Sequence, residues 1–204
     1  MIAPEIYMEK VLHLASEALD NGEFPIAAMV VLDGEILSQA VTSEVREKRF
    51  LVHAELIALE LADKLQLTYK QRIRAVLYTN LEPCLMCMGA AMSFFLWEIV
   101  YGLESPGDGA VELVQSWVRN ENDLPGYRVP KISGGILRKE SSRLFKEYAH
   151  RHETGPMRDW AETLTNVVIR LLETFHYECL GYQIRNELCA AINLSRTNLR
   201  LGSG

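Results

Sequence analysis

The chain has 204 residues, a formal net charge of −6 and an apolar fraction of 49%. This length suits one domain of about 150 residues with an appendage, and the apolar fraction argues against a disordered chain. The negative charge argues against a surface built for many phosphate contacts, which needs clustered lysine and arginine. The four cysteines are too few for a disulfide framework in a chain of this length.

Targeting and membrane signals are absent from the residue pattern. The first ten residues, MIAPEIYMEK, lack the basic and then apolar regions of a signal peptide. No apolar run approaches the 18 residues that a membrane-spanning helix needs. We therefore expect a cytoplasmic protein that does not enter a membrane.

The first third of the chain predicts a helix followed by a hairpin. Apolar residues at helical spacing predict a helix over residues 5–20. The continuous apolar run 26–32 is typical of a strand that is covered on both faces. Asp33-Gly34 is a two-residue hairpin signal, so residues 35–41 should return antiparallel to that strand.

A charged stretch of mixed sign, residues 44–49, follows the hairpin. It has two interpretations: a solvated loop, or the rim of a substrate pocket, since it leads directly into His53. The elements predicted after it are a helix over 52–65, a strand over 75–79, a helix from Pro83 to about 96, and a strand over 99–102. Strands that alternate with helices in this way favour parallel pairing.

The last third contains a break that divides the chain. A short helix near 110–119, a strand over 128–133 and a helix over 136–151 precede Gly155-Pro156. We predict a domain over residues 1–155 and a C-terminal helical extension over 156–204. The extension carries an apolar stripe from Trp160 to Phe175, which should pack on the domain or across a dimer, and a second helix over 184–192.

Two cysteines and one histidine have the chemistry of a metal site. Cys84 and Cys87 lie three residues apart at a predicted helix start, with Pro83 at the first helical position. The positive end of a helix favours the thiolate form that binds a metal. His53 offers an imidazole as a third ligand. Three protein ligands and one open position are typical of a catalytic rather than a structural zinc site.

Glu55 stands two residues after His53, within reach of a water molecule at such a site. A carboxylate that is not itself a ligand suits the transfer of protons, because it accepts and donates within one turnover. The segment of 27 residues between Glu55 and Pro83 has room for a helix, a loop and a strand. Both halves of the site can therefore lie at neighbouring helix starts.

His53-Ala54-Glu55 followed by residues 83–87, PCLMC, resembles the signature of the zinc-dependent nucleobase deaminases. Residues from about Tyr7 to His152 look most similar to the bacterial tRNA adenosine deaminases and their nucleoside-deaminase relatives. The resemblance also covers the segments 22–26 (GEFPI), 77–84 (LYTNLEPC), 100–102 (VYG) and 133–137 (SGGIL).

This resemblance implies a three-layer α/β/α, cytidine-deaminase-like fold with a five-stranded mixed sheet, and a homodimer. It implies one Zn²⁺ held by His53, Cys84 and Cys87, with Glu55 as the catalytic proton carrier. It also implies substrate contacts, for which the matching positions are Thr42, Ala54, Pro83 and Ser105.

Two of those positions depart from the family pattern. Thr42 aligns with an asparagine that touches the base in the family, and Ser105 lies in a loop that brings an aspartate in the tRNA enzymes. Together with the net charge, these departures favour a small aminopurine base, nucleoside or nucleotide as the substrate. The alternative is the anticodon wobble adenosine of a tRNA.

The segment 103–126 should line the substrate side. Its acidic residues, among them Glu104, Asp108 and Glu112, would repel a phosphate backbone, and Arg119 is its one basic residue. Trp117 or Phe94 would supply a stacking face for the base.

Overall fold

Five strands form one mixed sheet in the order β2-β1-β3-β4-β5. The computed structural model describes residues 3–117 and 126–166. The strands are β1 (Ala27–Leu32), β2 (Glu35–Val41), β3 (Val76–Leu81), β4 (Glu98–Leu103) and β5 (Lys131–Ser133). β1 pairs antiparallel with both β2 and β3, whereas β3, β4 and β5 run parallel. The predicted hairpin and the predicted parallel half are both confirmed.

Helices cover both faces of this sheet. They are α1 (Pro4–Asp20), α2 (Glu44–Glu47), α3 (Ala54–Asp63), α4 (Tyr69–Arg72), α5 (Leu85–Phe94), α6 (Val111–Gln115) and α7 (Arg138–Arg151). Residues 156–166 are also helical, and we refer to them as the 156–166 helix. The predicted helix over 184–192 and the apolar stripe beyond residue 166 lie outside the described residues.

Alternate residues of β1 enter two separate cores, because side chains alternate across a strand. Ala28 and Val30 pack on the side of α3 and α5, where Ala58 and Met88 are fully buried. Ala27, Met29 and Val31 pack on the other side, against α1. A sheet covered on both faces explains why β1 is apolar throughout, and the three-layer α/β/α prediction is confirmed.

The carboxyl end of β3 leads into the N-terminus of α5, and α3 lies beside α5 on the same face of the sheet. His53 is the N-cap residue of α3, and Cys84 is the N-cap residue of α5. The prediction that Pro83 occupies the first helical position is wrong: Pro83 precedes the cap, so Cys84 itself stands at the helix entrance.

Residues 44–47 form the short helix α2 instead of an irregular loop. Glu23, which is buried, accepts hydrogen bonds from the backbone N–H groups of Val45 (2.8 Å) and Arg46 (3.0 Å). These groups have no partner within a first helical turn. A distant carboxylate therefore stabilises a helix that its own sequence does not predict.

The chain divides into two compact units, residues 1–165 and 166–204. Within the first unit, the indole of Trp160 packs edge-on against Phe145, with ring centroids 5.7 Å apart, and Leu164 is buried. The start of the predicted apolar stripe thus packs on the sheet-bearing unit. A domain boundary at residue 155 stays a prediction. No helix within residues 3–117 and 126–166 is long and apolar enough to cross a membrane.

Candidate metal centre and active site

Three potential metal ligands meet where α3 and α5 begin. The Nδ1 atom of His53 lies 3.6 Å from Cys84 Sγ and 3.5 Å from Cys87 Sγ, and the two sulfur atoms are 3.6 Å apart. Among the described residues, these three form the group of histidine, cysteine and acidic side chains that could hold one ion. The structure therefore brings together all three residues that the sequence predicted as ligands.

The spacing of these atoms fits zinc. With Zn–S and Zn–N bond lengths of about 2.3 and 2.1 Å, a tetrahedral site places its ligand atoms about 3.6–3.8 Å apart. The three observed separations agree with this value. An imidazole and two soft sulfur ligands also suit zinc, whereas calcium and magnesium prefer oxygen ligands.

The three ionisable groups of the cluster perturb one another. Hydrogen bonds from Cys87 and His53 lower the pKa of the Cys84 thiol to about 4, so Cys84 is a thiolate at neutral pH. The hydrogen bond to Cys84 raises the pKa of His53 to about 9. The shared hydrogen bond with Cys84 and burial raise the pKa of Cys87. At neutral pH the negative sulfur of Cys84 therefore faces a protonated imidazole, and a metal ion bound there would displace that proton.

Glu55 lies beside the cluster in the first turn of α3 and is buried. Its Oε1 atom accepts a hydrogen bond from the hydroxyl of Thr79 on β3 (3.1 Å), and its Oε2 atom is 3.5 Å from Cys87 Sγ. Burial raises the pKa of this carboxyl group. Thr79, which holds the carboxylate, was not predicted, because its role depends on the carboxyl-terminal half of β3 lying beside the first turn of α3.

A cavity of about 390 Å³ opens onto Glu55, His53 and Cys84. Its apolar and aromatic lining consists of Phe24, Ile26, Ala54, Leu81, Met157 and Trp160. Its polar lining adds Thr42, Glu44, Glu82 and Asp108. Several elements that are distant in sequence therefore contribute to one small-molecule pocket.

The predicted substrate contacts divide into two groups. Thr42 and Ala54 line the cavity, whereas Pro83 and Ser105 are not among its lining residues. Ser105 is buried, and its hydroxyl donates to Asp108 while its backbone N–H donates to Glu82 (3.0 Å). The contact of each residue with a substrate stays a prediction.

The predicted aromatic wall is wrong. Phe94 is buried in the core with α3 and α5, and Trp117 packs edge-on against Tyr127; neither lines the cavity. Phe24 and Trp160 take this place, with their rings 6.4 Å apart. Trp160 could not be placed from sequence, because it follows the Gly155-Pro156 break by only a few residues and carries no motif.

Residues 1–103 match the family model of the cytidine and deoxycytidylate deaminase zinc-binding region. The chain belongs to this deaminase family. The tRNA-specific adenosine deaminase of Bacillus subtilis is 33% identical to this deaminase over 148 residues, which span 72% of this chain and 89% of the relative. The corresponding enzyme of Rickettsia felis is 34% identical over 146 residues, 71% of this chain and 99% of the relative.

Solved structures of two kinds share the fold. A tRNA:A34 deaminase matches with a TM-score of 0.57 at 30% identity, covering 67% of this chain and 96% of that one. The guanine deaminase from Nitrosomonas europaea matches with a TM-score of 0.57 at 26% identity, covering 72% and 85%. A protein in complex with 2,6-diaminopurine gives 0.60 at 27% identity, covering 76% and 86%. This chain is therefore a zinc-dependent hydrolytic deaminase by family.

Proposed function

We propose that this deaminase removes ammonia from a small aminopurine base, nucleoside or nucleotide, with one Zn²⁺ held by His53, Cys84 and Cys87. The tetrahedral spacing of the three ligand atoms supports the metal assignment. A bound zinc ion supplies Lewis-acid activation of a water molecule. His53 and Cys84 line the same cavity as Glu55, so a substrate bound in this cavity would lie next to the metal site.

Glu55 carries the protons in this proposal. Its buried carboxylate takes a proton from the attacking water and transfers it to a ring nitrogen, which makes the neighbouring ring carbon electrophilic. The hydroxide so formed adds to that carbon. Glu55 then takes the remaining proton of the added hydroxyl and delivers it to the amino group, so that the C–N bond breaks and ammonia leaves. The hydrogen bond from Thr79 holds one carboxylate oxygen, and the other oxygen lies 3.5 Å from Cys87 Sγ, beside the proposed ligand cluster.

The negative charge of the cavity lining is the observation that favours a small substrate over RNA. Four carboxylates line it, from Glu44, Glu55, Glu82 and Asp108, and among the described lining residues there is no lysine or arginine. Such a pocket repels phosphate and accepts N–H donors, which aminopurines present along their edges. Bases and nucleosides therefore suit it better than nucleotides. Phe24 and Trp160 offer aromatic surface to a flat ring.

The wobble adenosine of a tRNA is the second candidate. It is favoured by the Bacillus subtilis relative, which matches over 89% of its own length. An anticodon substrate must be opened and its flanking phosphates held by basic groups. In the described part of the segment 103–126, Glu104 forms an ion pair with Arg138, and Asp108 lines the cavity.

A direct comparison of substrates tests the proposal. The enzyme is incubated with a panel of free aminopurines and their nucleosides and nucleotides, and with an anticodon stem-loop that carries adenosine 34, and the released ammonia and inosine are measured. We expect turnover of a free base or nucleoside. Inosine formation in the RNA with no turnover of any small compound would establish the second candidate instead.

A homodimer, which the resemblance implies, and a cytoplasmic location, which the residue pattern predicts, both stay proposals. Exposed apolar side chains around the site support the dimer: Phe50 is 86% exposed, Leu51 63% and Leu85 60%. Surfaces of this kind are typical of protein contacts. The mass of the protein in solution tests the dimer.

A further inference from the structure

Glu44 lies against the side of His53 that faces away from the cysteines. Its Oε1 atom is 3.7 Å from His53 Nε2, and the side chains of Glu44 and His53 are only 19% and 25% exposed. The Nδ1 atom on the other side of the ring faces both sulfur atoms. The imidazole is therefore placed between the two thiols and a carboxylate.

This arrangement selects one state of the histidine ring. A metal bound through Nδ1 requires the lone pair of that atom, so the ring proton must reside on Nε2. A carboxylate beside Nε2 accepts that proton in a hydrogen bond, which fixes both the tautomer and the orientation of the ring. An approach closer by about 0.8 Å turns the contact into a charge-assisted hydrogen bond of ordinary length.

Glu44 is itself held from two directions. The Thr42 hydroxyl is 3.1 Å from Glu44 Oε2 and 3.2 Å from the carbonyl oxygen of Val52, and Thr42 is 1% exposed. The backbone around Glu44 is held by Glu23, whose carboxylate binds the next two N–H groups of α2. The carboxylate of Glu44 is therefore held in place beside His53, whereas that of Glu47 on the same helix is exposed and pairs with Arg46 and Arg49.

We propose that Glu44 is a positioning residue that orients His53 for metal binding, with Thr42 as its support. This inference rests on the proposed zinc site. It also explains why a threonine can stand at position 42. Relatives are expected to present an asparagine to the base at this position, whereas the hydroxyl of Thr42 contacts the carboxylate that lies beside His53. Glu44 touches His53 and thus acts through the ligand.

The experiment compares Glu44→Gln with Glu47→Gln, the same change on the same helix at a residue whose partners are the exposed Arg46 and Arg49. Zinc affinity is measured by competition with a chromogenic chelator on the full chain, with no substrate present. Loss of a carboxylate behind a histidine ligand typically costs 10–100-fold in metal affinity. We expect a loss of about 10-fold or more for Glu44→Gln and an unchanged affinity for Glu47→Gln.

Two further variants separate this inference from the metal site itself. Thr42→Val should weaken zinc binding less than Glu44→Gln, and adding it to Glu44→Gln should cause no further loss, since Thr42 acts through that carboxylate. Cys87→Ala should abolish zinc binding. If Cys87→Ala loses zinc while Glu44→Gln binds it as tightly as Glu47→Gln does, the role of Glu44 is refuted and the metal site stands. If Cys87→Ala keeps its zinc, the metal site is refuted and the role of Glu44 with it.

Discussion

Glu55 differs from every other carboxylate around the cavity in that it contacts the ligand cluster from within the first turn of α3. Its neighbours Glu82 and Asp108 have structural partners. Glu82 accepts hydrogen bonds from the backbone N–H groups of Ser105 and Val111 (3.0 Å each), and Asp108 accepts one from the Ser105 hydroxyl. Glu55 is therefore the carboxylate that is placed to move protons.

The variant Glu55→Gln tests this role. We expect it to fold and to retain zinc while kcat falls by about 10²–10⁴-fold, the usual contribution of a positioned acid-base group. Glu60→Gln is the matched control, since Glu60 lies on the same helix but is exposed and pairs with Lys64 (2.8 Å). A Glu55→Gln enzyme with about half of the wild-type rate would remove Glu55 from the mechanism.

The ligands could be predicted from sequence because each belongs to a short segment that enters a helix. His53, Glu55, Cys84 and Cys87 lie within a few residues of a helix start, so their spacing alone places them on one side. Glu44 and Thr79 could not be predicted in this way. Their contacts depend on how α2 and β3 pack against α3, which no local spacing encodes.

At the scale of elements, the 156–166 helix forms part of the wall of the cavity. It contributes Met157 and Trp160 to the cavity, and Trp160 is wedged between Phe24 and Phe145. Residues that follow the family motif by more than sixty positions thus form one wall of the site. We therefore expect the substrate specificity of this deaminase to depend on an element outside the region that the family model matches.

Removal of the indole should weaken substrate binding without affecting the metal. Stacking of a base on an aromatic ring contributes about 1–3 kcal/mol, so Trp160→Ala should lower kcat/KM by about 5–150-fold for the aminopurine that is turned over fastest. We expect Trp160→Phe to keep much of the activity. Zinc content should not change in either variant.

Trp97→Ala is the control for that prediction, because Trp97 is 47% exposed and packs on Arg128 instead of the cavity. Equal KM values for Trp160→Ala and the wild type would show that the indole does not contact the substrate.

Long periodic patterns of apolar residues predicted the major helices and strands, whereas the short helix α2 has no such pattern and was not predicted. The apolar run of β1 and the stripe of α1 are long enough to specify their elements. The helix α2 has four residues and depends on Glu23, which lies about twenty positions earlier. A helix of this length gains its stability from a tertiary contact instead of its own propensity.

For the whole molecule, we expect the thermal stability of a truncated chain to depend on whether it retains the 156–166 helix. Residues 1–165 form a compact unit that includes the buried side chains of Ala161 and Leu164. A chain that ends at residue 165 retains these side chains and should keep its zinc. A chain that ends at residue 155 exposes Phe24 and Phe145, which Trp160 covers.

The loss of several buried apolar side chains costs roughly 1.5–3 kcal/mol for each large one, and each kcal/mol lowers the melting temperature by about 2–4 °C in a protein of this size. The chain ending at residue 155 should therefore melt about 10 °C lower or aggregate, as differential scanning calorimetry would show. Equal melting temperatures for the two truncations would contradict the packing of the 156–166 helix on this unit.

The zinc content of cysteine variants tests the central claim most directly. Elemental analysis of purified wild-type protein should find one zinc ion per chain, and Cys87→Ser should contain almost none, because two remaining ligands do not hold zinc through purification. Cys179→Ser, a change at a cysteine outside the described residues, should keep the full content. A Cys87→Ser protein that retains one zinc ion per chain would contradict a metal centre formed by His53, Cys84 and Cys87.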